Sequence, residues 1–437
     1  MRFARSSLVP GVFGILALAC GSGGGPAPAK APPRAGANAP STHVASTGAP
    51  GAAPPEPIVE DGLVADKLQS RPELARIAAE PQRYRAQVLF SEVVRDGKKL
   101  KLVRHGFRVD AEYFYPASAI KPTIAVAALE TLHELERTSG KKLDFTSPFR
   151  AREFPGTPYE ERDPTSSTGR MSVGHELKKL LLVSDNQSYN RLYGLVGQRS
   201  ANQRMWRLGL SSVRVRHRVG LVPASDDGRV TPAEELVAEG GDVVTVPEAK
   251  SDLVFDPLDM PGVLVGNVHY ASNGARLEQP MSFAEKNRIS LQDLQDLLVK
   301  LTRPDLVDGP KPDLDAKDKE LLANALGTLP SLAKNPSFEG GQALDDLHKP
   351  LLQGIAKAVP RERVFVFSKA GRAYGFTVDN AYVLDPIAKR SFYLTAVLYT
   401  NDNGVVGDDK YPYLEVANPY FTALGEVFAR HALLTKQ

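Results

Sequence analysis

The chain carries a single cysteine in 437 residues, which excludes an internal disulfide framework and a thiolate-held metal cluster. Stability therefore has to come from packing. A dominant charge is also missing, since 54 Lys and Arg stand against 51 Asp and Glu, a formal net charge of +3. Nucleic-acid binding needs a basic stripe that displaces counterions from phosphates, and none is present, so no nucleic-acid partner is expected. The 8 histidines are scattered, with no H-E-x-x-H or equivalent spacing. Asp252, Asp256 and Asp259 read as solvated loop carboxylates, and neither a metal nor another cofactor is expected. No internal repeat occurs. With 42% hydrophobic residues, the chain has enough apolar material for one large domain or two modest ones.

The cysteine falls at the end of an N-terminal apolar run. Arg2 and Arg5 precede the stretch from Leu8 to Ala19, which is too short to span a bilayer as a mature helix and suits a cleaved secretory signal over residues 1–19. The sequence Ala19-Cys20-Gly21 resembles the lipobox of bacterial lipoproteins, although Ala17 stands where that motif usually has Leu. The resemblance implies acylation of Cys20, and an exported, periplasmic or outer-membrane lipoprotein; an ordinary secretory signal with an incidental cysteine stays open. Cleavage removes two arginines and lowers the net charge from +3 to +1, so membrane attachment would fall to the lipid. Residues 20–57 are mostly Ala, Gly and Pro and bury nothing. They read as a tether spanning roughly 35 Å as a coil, or about three times that as polyproline II.

The remaining residues, 58–437, read as one α+β domain. Runs at 86–94 and 99–105 look like strands joined by a two-residue turn at Asp96-Gly97. Three more β-rich runs, 363–369, 375–384 and 391–399, precede a helix with Asn418 as N-cap and Pro419 at its first position. Periodic helical runs fill the middle, at 118–137, 172–183 and 290–301. The pattern predicts an antiparallel sheet built from both chain ends, covered by helices, with an inserted helical lobe. Residues 221–289 read as an insertion, with possible strands at 253–255 and 263–269, that covers or reshapes a cleft.

Three elements suggest chemistry. Ser118-Ala119-Ile120-Lys121-Pro122 opens a helix, because Pro122 is tolerated only in a first turn. Lys121 then shares a face with Ser118, and the residues that follow are apolar all round, so the helix is buried and the lysine partly desolvated. Desolvation lowers a lysine pKa and makes it a base for a serine nucleophile. Ser118 as a plain N-cap explains this motif equally well, and Ser331-Leu332-Ala333-Lys334 repeats the spacing with no long helix behind it. Ser184-Asp185-Asn186 lies in a break between helices, the next running over 189–196. Helix capping alone would account for those three residue types. Lys369-Ala370-Gly371-Arg372 ends an apolar strand, where small residues let a ligand lie along the edge beside a fixed charge.

Together and in this order, the three elements resemble the S-x-x-K, S-D-N and K-T-G motifs of the serine hydrolase superfamily of class A β-lactamases and penicillin-binding proteins, over roughly residues 80–437. More narrowly, the context of Tyr189–Tyr193 and of Lys369–Phe376 resembles a branch of serine hydrolases with a class A β-lactamase-like domain. The resemblance implies Ser118 as nucleophile, Lys121 as its base, Ser184 as proton donor to the leaving nitrogen, and Asn186 as a holder of the substrate amide. Lys369 would supply positive charge for a substrate carboxylate, and the backbone N–H groups of Ser118 and Arg372 would form the oxyanion hole. Asp185 reads as structural. The implied partner is a β-lactam or a peptidoglycan stem peptide, acted on by a monomer; a non-catalytic or slowly deacylating tethered binder is the alternative.

Two departures qualify the match. Ala370 lacks the hydroxyl of K-T-G, worth about 1.5–3 kcal/mol toward a carboxylate unless Arg372 or Ser368 supplies it. No E-x-x-L-N follows S-D-N; the comparable stretch Val213–Gly220 has no carboxylate, which leaves His217 as a substitute base or the acyl group in place.

Overall fold

The computed structural model describes residues 57–59, 62–220, 222–223 and 226–435, and the backbone of a short strand at Thr42–Val44. Cys20, the expected signal at 1–19 and most of the expected tether lie outside the described residues.

Strands β1 (Gln87–Asp96) and β2 (Lys99–Phe107) form a hairpin near the start of the domain. β3 (Phe365–Ala373), β4 (Phe376–Asp385) and β5 (Arg390–Tyr399) form a meander near its end. The two groups join as one antiparallel sheet in the order β3-β4-β5-β1-β2, with β5 pairing β1 from Phe392↔Glu92 to Val397↔Gln87. The α+β class and the sheet assembled from both chain ends follow the sequence pattern. One turn differs. Asp96 pairs with Lys99, so the connecting residues are Gly97-Lys98, because Gly97 (φ 60°) can take the positive-φ first position of the turn.

Both faces of the sheet are covered, which is why its strands are apolar almost without alternation. On one face, Val88, Phe90, Val383 and Leu394 pack with the C-terminal helix Asn418–Ala429 through Phe421, Leu424 and Phe428. On the other, Leu89, Val378 and Val397 join a larger core with the helices α1 (Lys121–Ser139), α2 (Val173–Leu182), α3 (Asn186–Val196), α4 (Gln198–Arg207) and α5 (Leu291–Thr302). α3 starts three residues earlier than the apolar pattern predicts, because Asp185 caps it by accepting the Ser188 N–H at 2.6 Å. Asn418 is not an N-cap. A π-helical turn at Tyr413–Ala417 runs straight into the last helix, leaving the Asn418 side chain free for another use. Residues 222–289 form short strand pairs, including Leu253–Phe255 packed on Trp206 of α4.

Candidate active site

Ser118 sits in a 3₁₀ turn, Ala117–Ile120, that leads into α1. The first N–H groups of such a turn have no intrahelical acceptor, so the Ser118 amide is unclaimed by its own helix. Ala117 before it is left-handed (φ 46°), an unusual state for a residue with a Cβ, and it points the half-buried Ser118 into a cleft of about 190 Å³. Behind it, Ile124, Val126, Leu129 and Leu132 are buried, as the all-round apolar pattern predicts.

Lys121 is fully buried, and its Nζ donates to Asn186 Oδ1 (2.7 Å), the Ser184 hydroxyl (3.2 Å), the Asp185 carbonyl (3.2 Å) and the Ser184 carbonyl. Among the described residues nothing hydrogen-bonds the Ser118 hydroxyl; the oxygens of residues 184–186 draw the amine instead. Burial, then the charge of Lys369, holds the Lys121 amine well below the usual lysine range, with Asp185 pulling weakly the other way. Ser184 is itself left-handed (φ 62°), and a non-glycine residue in that state stores about 1–3 kcal/mol. Its hydroxyl accepts from Lys369, whose Nζ lies 2.9 Å away.

Lys369 is buried on β3, the sheet edge. Burial pushes its amine down to about 7, against a partial counterweight from Asp379. The β3–β4 turn is Tyr374-Gly375, both left-handed, so Ala373 and Phe376 close the hairpin with a hydrogen-bonded pair. Alternation along an antiparallel ladder then turns the N–H and C=O of Arg372 and Ala370 away from β4, toward the cleft. Gly371 lets β3 lie directly on the serine turn: a Cβ there would sit 2.4 Å from the Pro116 carbonyl oxygen and 2.7 Å from the Ser118 nitrogen. The Arg372 and Ser118 amides thereby come to the same wall of the cleft. The Arg372 guanidinium is anchored by Asn418 Oδ1 (2.7 Å) and stacks over Tyr413 (4.8 Å).

Ser118, Ser184, Ala370, Gly371 and Arg372 all line this one cleft, and Lys121, Asn186 and Lys369 sit directly behind Ser184. The Ser331 copy of the spacing lies elsewhere, in a three-residue turn with its hydroxyl on Asp345. Ser368 is buried and accepts from Lys349 at 3.3 Å, so it does not replace the hydroxyl absent at Ala370. Thr377 on β4, opposite Arg372, lines the cleft with a buried hydroxyl that has no partner. No motif marks it, because only strand register brings it there. His348 lines the cleft as well, from the last turn of a helix at Gly341–His348.

The loop Val213–Gly220 does reach the site. Asn190 of α3 exchanges two 3.0 Å hydrogen bonds with Val219, which sets Gly220 against Asn186. Its polar side chains are turned elsewhere: Arg218 pairs with Asp226 at 2.8 Å, and the half-buried His217 does not line the cleft and sets Nδ1 on the Arg218 carbonyl. Burial drives the His217 imidazole down to about 4. A carboxylate does approach α3 from another side, where Glu153 accepts from Asn190 (3.2 Å) and Gln187 (3.4 Å). Among the described residues no part of the 222–289 segment lines the cleft.

No curated protein matches this chain. Among solved structures, it is similar to a β-lactamase from Xanthomonas campestris (16% identity, 85% of this chain and 99% of the other, TM-score 0.44). A β-lactamase from Desulfarculus baarsii (16%, 85% and 98%, 0.44) and PBP-A (14%, 86% and 99%, 0.45) are similar too. Residues 98–314, which include Ser118, Lys121 and Ser184–Asn186 and end before Lys369, match the model of the Beta-lactamase enzyme family.

Proposed function

We propose that the protein is a serine hydrolase of the β-lactamase type, forming an acyl-enzyme on Ser118 with a β-lactam or with the D-alanyl amide of a peptidoglycan stem. In this reading the Ser118 oxygen attacks the carbonyl carbon while its proton passes to the neutral amine of Lys121. The developing oxyanion accepts from the Ser118 and Arg372 N–H groups, a preorganised pair in a water-poor wall. As the C–N bond breaks, the Ser184 hydroxyl gives its proton to the leaving nitrogen and takes in its place the one that Lys121 holds 3.2 Å away, which leaves Lys121 neutral again. Lys369 and Arg372 offer positive charge to the substrate carboxylate, and the Asn186 amide holds the substrate amide.

The observation that carries the reading is the chain of contacts from Lys121 through the Ser184 hydroxyl (3.2 Å) to Lys369 (2.9 Å), beside a serine in the same cleft. Two buried amines of depressed basicity around one hydroxyl are costly to maintain without a use for them. A fluorescent penicillin followed by intact-mass measurement tests it. A covalent adduct is expected on the full chain and absent from Ser118→Ala; no adduct on the unaltered chain would overturn the reading. The reading extends to location, with Cys20 carrying a lipid that holds the domain at an envelope membrane through the 21–57 tether.

A further inference from the structure

Hydrolysis of an acyl-enzyme needs a base that activates water after the amine has left. The Val213–Gly220 loop beside Asn186 brings no carboxylate to the cleft, and His217 does not line it. His348 is inside. It shares the 190 Å³ cleft with Ser118 and Ser184, and its imidazole makes no hydrogen bond or ion pair among the described residues, so a ring nitrogen is available. The following residue fixes its position: Lys349 is buried and donates to the carbonyls of Leu326 (2.6 Å) and Val366 (3.0 Å), which pins the end of the helix against β3.

We propose that His348 is the general base of deacylation. A water molecule attacks the acyl carbon as His348 takes one of its protons; the tetrahedral intermediate then expels the Ser118 oxygen, which recovers a proton from the imidazolium. No proton or electron is left over. The inference rests on the acyl-enzyme reading above. Burial first, and then positive charge nearby, Lys369 before the others, drive the imidazole down to about 3, so the free cleft holds it neutral with a lone pair exposed. A bound acyl group bearing a carboxylate offsets those cations and raises the basicity of His348 at the stage where a base is needed.

Adduct lifetimes on Ser118, followed by intact mass with the same penicillin, test this on the full chain, on His348→Gln, on His348→Ala and on Glu153→Gln. The unaltered chain is expected to shed its adduct. Both His348 variants are expected to form the adduct and hold it on the order of 100-fold longer or more, the usual range for losing a general base. Glu153→Gln should release it at the unaltered rate. Should the His348→Ala fold be lost, His348→Gln, which keeps volume and polarity, decides alone. Release at the unaltered rate from a folded His348 variant overturns the proposal, as does persistence in Glu153→Gln. An unaltered chain that keeps its adduct indefinitely removes the base but leaves the acylation reading standing, whereas one that never acquires an adduct removes both.

Discussion

Replacing Gly371 with alanine tests the close approach on which the oxyanion hole depends. The new Cβ would meet the Pro116 carbonyl oxygen at 2.4 Å, the Ala119 nitrogen at 2.6 Å and the Ser118 nitrogen at 2.7 Å, whereas ordinary contacts start at 3.4 Å. All three are backbone atoms, so no side-chain rotation relieves the clash. β3 and the serine turn must separate by about 1 Å, and a displacement of that size at a reacting centre costs on the order of 100-fold in rate. Overpacking adds about 1–3 kcal/mol of destabilisation, which for a domain of this length lowers Tm by only about 1–4 °C. Gly371→Ala is therefore expected to stay folded at 25 °C while its acylation, followed by stopped-flow with a fluorescent β-lactam, slows about 100-fold. Acylation within threefold of the unaltered chain would refute the idea that the Arg372 and Ser118 amides must be held this close.

The remaining expectations are simpler. Lys369 has a folded value of about 7 against an ordinary 10.5, so the unfolded chain binds more protons between those values and stability rises with pH there. Tm measured from pH 7 to 10 should climb less steeply in Lys369→Met. The same variant removes a positive charge beside Lys121, whose pKa then rises, moving the acidic limb of acylation to higher pH. Ala370→Thr places a hydroxyl on the cleft wall that can donate to a substrate carboxylate, and is expected to lower KM about 3–10-fold for carboxylate-bearing substrates. Cys20→Ser should abolish partitioning into a detergent phase; continued partitioning would remove the lipid anchor.

Much of this fold was legible because its signals are local. The all-round apolar stretch behind Lys121 could only be a buried helix, and Pro122 fixed where it starts. The three elements were recognisable because each combines reactive residue types with a break in regular structure. Register and packing were not legible. Asn418 reads as a cap, yet the π-turn before it removes that duty and gives its side chain to Arg372. His348 and Thr377 have no motif around them; one arrives at the end of a short helix and the other by lying across the ladder from Arg372. The turn at Gly97-Lys98 differs by one residue from the expected one because a two-residue loop is set by which residues pair, a property of both strands together.

The sheet joins strands at least three hundred positions apart, and this orders events during synthesis. Ser118 and Lys121 leave the ribosome early, but β3 and its lysine follow some 250 residues later. Until then the serine has no second amine and no opposing amide, and β1 presents an unpaired edge where β5 will lie. A nascent chain is thus inert toward acylating agents, and vulnerable to wrong strand pairing, until its final segment closes the sheet.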